Sequence, residues 1–159
     1  MKKFIKNLGY CALSAGMLVF SAYGSSALLG EEAIYLQKTL QEHYDISQEG
    51  PDISGHELQV TNTGFCRYKR LYTNGKVEYF SFNILKYKRF EYDGTPENGR
   101  LFLRTLSDDV IVQTHHDREG DVDSMATYLA IPLKDMQEAD LKGLAERFQL
   151  LNLQLAAQR

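Results

Sequence analysis

Apolar residues near the start of the chain recur at helical spacing. Leu29, Ala33, Leu36, Leu40 and Tyr44 fall three or four apart, the stripe of an amphipathic helix. The pattern predicts a helix over about residues 31–44, with Glu31 and Glu32 at the positive end of its dipole. Gly and Pro in "SQEGPDISG" then end it. From His56 to Leu133 the period changes to two. "HELQV", "FCRYKRLY", "KVEYFSFNIL", "KYKRFEYDG", "RLFLRTL", "DVIVQTH" and "VDSMATYLAIPL" read as successive strands. Asn74-Gly75 between two aromatic-rich runs predicts a type I′ hairpin turn. Ser107-Asp108 predicts another tight turn. The last segment, Asp135 to about Ala157, returns to helical spacing through Leu141, Leu144, Ala145, Phe148, Leu151 and Leu155. Asp135 with Glu138 suggests a capping box at its start.

Helix, strands, helix implies an α+β domain. We expect an antiparallel sheet of six to seven strands, with the N-terminal helix and the long C-terminal helix packed on one face. The order loosely resembles the type III secretion chaperone-like fold and the helix-grip fold, on element order alone and without a residue motif. Such likeness assigns no function.

The residues before the first helix change the picture of where the domain resides. Lys2, Lys3 and Lys6 precede a charge-free stretch from Leu8 to Tyr23, and Ser25 and Ala27 stand at −3 and −1 of a cleavage point. That is the order of a secretory signal peptide. The expectation is a leader at 1–27 and a single domain at 28–159, periplasmic or extracellular, with no stable membrane span once the leader is removed. A retained anchor is the alternative. Bulky Tyr10 before Cys11 speaks against lipidation there.

Three of the 18 Lys and Arg lie in the leader and none of the 21 acids, so the remainder carries 15 bases against 21 acids, net −6. That argues against indiscriminate nucleic-acid binding. Cys66 alone survives cleavage and cannot form an internal disulfide; a buried small apolar side chain is the expectation for it.

Charge is unevenly spread. Residues 65–92 carry seven bases against two acids, interleaved with nine aromatic side chains. Cations beside aromatic rings on a sheet suit an acidic protein surface, and export disfavours nucleic acid. The candidate partner-binding residues are Arg67, Lys69, Arg70, Lys86, Tyr87, Lys88 and Arg89. Acidic flanks on both sides of this stretch also allow neutralisation by a second copy, a possible homodimer. The bland alternative is a solvated outer face whose lysines blunt edge pairing.

"THHDREGDVDS" is the densest run of potential metal ligands: His115, His116, Asp117, Glu119, Asp121 and Asp123. Its spacing fits neither a calcium loop nor four converging zinc ligands. A hairpin tip with Gly120 at positive φ explains it better, so no metal or cofactor is expected, with His115, Asp117, Glu119, Asp121 and Asp123 as weak candidates for a loose cation site. No nucleophile or phosphate-binding motif is present. The expectation is therefore a non-catalytic domain that binds a protein partner. A lipid-like ligand in a cavity under Phe148 and Leu151, between sheet and C-terminal helix, is the alternative.

Overall fold

The computed structural model describes residues 29–159; the expected leader, the expected cleavage point and Cys11 lie outside the described residues. Helix α1 covers residues 29–43, and a short 3-10 turn, Ile46–Gln48, follows. Then come β1 (Ile53–Val60), β2 (Phe65–Tyr72), β3 (Val77–Asn83), β4 (Tyr87–Gly94), β5 (Asn98–Thr105), β6 (Val110–His115), β7 (Asp123–Ala126) and β8 (Tyr128–Lys134), and last helix α2 (Glu138–Ala156). The α+β class is as expected. There are eight strands because "VDSMATYLAIPL" breaks at Thr127. They form two antiparallel sheets, ordered β1-β2-β3-β6-β7 and β4-β5-β8.

Three stretches of chain cross between the sheets. They are Ile84–Lys86 between β3 and β4, residues 106–109 between β5 and β6, and Thr127 between β7 and β8. The crossings are bonded to one another. Thr105 N–H donates to Thr127 O at 3.0 Å, and Leu106 N–H to Lys86 O at 2.9 Å. The buried Thr105 hydroxyl lies 2.7 Å from Ser107 O and 3.0 Å from Thr127 O. The strands therefore turn a corner together, and backbone polar groups keep partners through the bend.

One core fills the inside of that bend. Leu58, Cys66, Tyr68 and Phe82 of the larger sheet meet Leu101, Leu103, Leu129 and Ile131 of the smaller, with Leu36 and Leu40 of α1 and Leu144, Phe148 and Leu151 of α2. Both apolar helical stripes read from the sequence are the buried ones, so both helices lie on one side, as expected. Burying each large side chain stabilises by roughly 1.5–3 kcal/mol. Arg147 Nη1 donates to buried Glu32 Oε2 at 2.8 Å and ties the two helices together. Among the described residues no helix is long and apolar enough to cross a membrane.

Two local expectations are corrected. At Asn74-Gly75 only Gly75 takes positive φ (88°); Tyr72 N–H bonds to Lys76 O across a three-residue loop. That is a type I turn followed by a left-handed glycine, not the I′ turn, which needs both residues at positive φ. Helix α2 starts at Glu138 rather than Asp135. Asp135 has φ 54°, unlike the extended backbone of a cap residue. Gln137 is the cap, and its N–H donates to Asp140 Oδ2 at 3.2 Å.

The sheet edges are treated unequally. Along the free side of β1, Gln37 of α1 works as a strand mimic. Its Nε2 donates to Leu58 O at 2.6 Å and its Oε1 accepts from Val60 N–H at 2.6 Å. The free side of β8 is covered by the chain just after α1. Asp45 N–H donates to Pro132 O at 3.1 Å, and Gln48 Nε2 to Leu133 O at 2.9 Å. Helix α1 thus seals the mouth between the two edges. Replacing Gln37 with Leu strands the Val60 amide and leaves Leu58 O only the 3.4 Å bond from Gln41 Nε2, so we expect a loss of about 1–3 kcal/mol in urea unfolding. An unchanged midpoint would mean the edge needs no cap.

Candidate functional site

Among the described residues, no helix lies on the face of the larger sheet that points away from the core. Alternation places Glu57 and Gln59 of β1, Phe65, Arg67 and Lys69 of β2, Tyr79 and Ser81 of β3, Ile111 and Gln113 of β6, and Asp123 and Met125 of β7 there. The register puts Gln59, Arg67, Ser81, Ile111 and Met125 in one cross-strand row, and Glu57, Lys69, Tyr79, Gln113 and Asp123 in the next. Phe65, Tyr79, Ile111 and Met125 are 37%, 37%, 40% and 53% exposed. Four large apolar side chains on one open sheet face exceed the scattered single exposures that need no explanation.

Two of the predicted cations lie on this face. The Arg67 guanidinium sits 5.3 Å from the Phe65 ring centroid, and Lys69 Nζ sits 5.6 Å from that of Tyr79. Lys69 also bonds to Glu57 Oε1 at 2.9 Å, which holds its ammonium above the usual range. Arg67 has no ion-pair partner among the described residues. His115 meets Tyr79 edge-on at 5.2 Å. Sequence reading sets Tyr79 on the face of its strand opposite the core face but does not single out Tyr79, Ile111 or Met125 as binding residues. Strict alternation in "KVEYFSFN", "VIVQTH" and "DSMA" carried the signal, but which alternate set faced out depended on where the helices packed.

The other predicted residues lie elsewhere. Arg70 is one position along from Lys69 and so faces inward. Its Nη2 lies 3.2 Å from the buried carboxylate of Glu49, its Nη1 3.7 Å from Glu78, and its Nε donates to Tyr68 Oη at 3.2 Å. Tyr68 donates to Glu49 Oε1 at 2.5 Å and lies 2.7 Å from the Tyr44 hydroxyl. Burial first, then these bonds, push the Tyr68 hydroxyl far up; burial lifts that of Tyr44 to about 12. Arg70, Phe80 and Tyr128 line an open cleft of about 450 Å³, but the guanidinium there is already matched by two carboxylates. Lys86 stands at the corner, 3.3 Å from Asp109. Tyr87 turns inward and stacks on Phe148 at 5.6 Å. Lys88 and Arg89 are exposed on β4 of the smaller sheet, where Arg89 pairs with Glu91 at 2.6 Å. Seven residues close in sequence therefore occupy five environments.

The hairpin at 114–124 bonds mainly to itself. Asp121 Oδ1 accepts from Asp117 N–H at 2.9 Å, and Asp117 Oδ1 from Glu119 N–H at 3.1 Å. Asp117 Oδ2 lies 3.0 Å from Lys76 Nζ. These bonds, that to Glu119 N–H first, hold the Asp117 carboxyl below the usual range. Gly120 has φ 106°, as the turn requires. Among the described residues no three of His, Cys, Asp and Glu converge as a metal site. Cys66 is fully buried, and burial pushes its thiol up to about 12. Phe148 and Leu151 are fully buried in the core cluster, and neither lines the open clefts beside α1, at Arg70 or between β4 and α2.

Two stability measurements test the inner cluster. Arg70→Met leaves Glu49 buried without its cation, and we expect it to cost about 3–5 kcal/mol. Adding Glu49→Gln should recover much of that; a doubly destabilised variant would show that the pair is not the coupled unit. His56, stacked on Tyr44 at 3.5 Å, is held below its ordinary 6.5 by burial. The unfolded chain therefore takes up that proton first. The contribution is full above about pH 6.5 and is lost as pH falls below it. His56→Phe should flatten that slope in melting curves taken at acidic and neutral pH. A comparison of the chain with protein-family models, curated proteins and solved structures finds no match.

Proposed function

We propose that this chain is an exported, non-catalytic binding domain whose protein partner docks on the open face of the larger sheet. The observation that carries the reading is the uncovered patch of Phe65, Tyr79, Ile111 and Met125, with Arg67 and Lys69 beside it. Apolar side chains supply the area a partner would bury. The two cations select an acidic surface and speed encounter more than they add affinity. A rigid sheet suits such a role, since its side chains are held in register before binding and little order has to be acquired.

The non-catalytic part rests on the lack of a nucleophile or phosphate-binding motif in the sequence, and the one thiol among the described residues offers no cysteine nucleophile. Cys66 is sealed in the core with its thiol kept protonated, while a nucleophilic cysteine must be exposed and ionised. Export rests on the leader pattern of Lys2, Lys3 and Lys6 followed by an uncharged stretch.

A photo-reactive amino acid at position 111, in the chain expressed in its own host, tests the docking face. We expect a discrete cross-linked protein that is absent when the same group is placed at Asp52, in the turn before β1. Arg67→Glu with Lys69→Glu should abolish the adduct, whereas neutralising Lys86, Lys88 and Arg89 should leave it intact. Identical adducts from positions 111 and 52, or none from 111, would remove the proposal.

A further inference from the structure

Strand β4 is an edge strand without a cap. Edge strands β1 and β8 have theirs, from Gln37 and from residues 45–48, and β7 is only four residues long. Strand β4 runs for eight residues and pairs only with β5; apart from the local bond from Tyr87 N–H to Ile84 O, no other backbone group among the described residues bonds to it. Beside it runs a groove of about 500 Å³, walled by Tyr87 to Phe90 on one side and by Lys142, Gln149 and Leu153 of α2 on the other. Leu150 and Leu153 of that helix are 42% and 56% exposed. An open edge is a template for another strand.

The charge sequence of β4 identifies the occupant. We infer that a second copy of this chain docks here, β4 against β4, antiparallel about a two-fold axis at Phe90, joining two three-stranded sheets into one of six. In an antiparallel pair, bonded and non-bonded residue pairs alternate, so a two-fold axis must pass through a residue position rather than between two. Centred on Phe90, Arg89 of one copy faces Glu91 of the other, Lys88 faces Tyr92, and Tyr87 faces Asp93. Each neighbouring centre sets like charges together. Centres on Lys88, Arg89 and Glu91 oppose each of these residues to itself, and a centre on Tyr92 opposes Glu91 to Asp93. One register of the strand is thus self-complementary, which an isologous contact requires.

The bulge at Lys88 confines strict pairing to the neighbourhood of Phe90. Leu150 and Leu153 on the adjoining helix supply apolar surface for the rest of the contact. Phe90 itself packs against the core from the inner face. The smaller sheet's edge is therefore assigned to the copy, and the larger sheet's open face stays free for a different protein.

The test is sedimentation velocity of the full chain, purified from its host, over a wide range of concentration. We expect a concentration-dependent dimer. Arg89→Glu alone and Glu91→Arg alone should each raise the dimer dissociation constant about tenfold or more, because each sets like charges opposite across both symmetry-related contacts. Mixing the two variants should restore a dimer, since the glutamates of one then face the arginines of the other. Chains carrying Arg89→Cys and Glu91→Cys, which introduce no like charge, should form a disulfide with each other in preference to themselves. That pair decides the matter should charge reversal unfold the chain. A monomer at every concentration, a dimer indifferent to both reversals, or no preference in the cysteine pair would overturn the assignment. The adduct at position 111 is read in the same variants and separates failure of this contact from failure of the docking face.

Discussion

The corner at Thr105, Thr127 and Lys86 is the constraint on which the other features depend. Antiparallel strands that ran straight would leave α1 and α2 to cover a flat sheet. Because three crossings bend at one level and bond to each other there, the strands fold over both helices and a single core forms inside. The residues that make the bend are ordinary ones. What holds it is backbone hydrogen bonding, satisfied by Thr105 through both its amide and its hydroxyl.

Bending the sheet sets the fate of its faces and edges. The inside is packed to closure. The outside of the larger sheet carries apolar groups that no helix among the described residues covers. The two edges at the mouth come near α1, and side-chain and backbone donors from residues 37–48 close them. The edge at β4 points away from that helix and keeps its strand-pairing groups. One architectural choice therefore yields a closed mouth, an open face and an open edge, and the two open elements are where the proposed contacts lie.

Charge follows the same division. The basic stretch at 65–92 is not one patch. Arg70 is committed inward to Glu49 and Glu78, Lys76 to Glu78 and Asp117, and Lys86 to Asp109. The acidic flanks noted in the sequence thus neutralise several of these cations within the chain. Of these pairs Arg70–Glu49 is the buried one, and the cost of desolvating its charges offsets much of their attraction. Arg67 and Lys88 remain without ion-pair partners among the described residues, and they stand on the two surfaces proposed for binding.

The sequence by itself determined the α+β class, both amphipathic helices to within a few residues, nearly every strand, the burial of Cys66 and the turn at Gly120. Each rests on local periodicity or on one residue's backbone freedom, which the chain carries in its order. The tertiary structure alone decided that "VDSMATYLAIPL" breaks at Thr127, that Gln137 rather than Asp135 caps α2, and that Arg70 turns inward while Lys69 turns out. It also decided that Tyr87 stacks on Phe148 and that Ile111 and Met125 face solvent beside Tyr79. Alternation along a strand defines two faces but does not say which is buried. That choice depends on which side the helices occupy, and it is made by contacts between residues far apart in the chain.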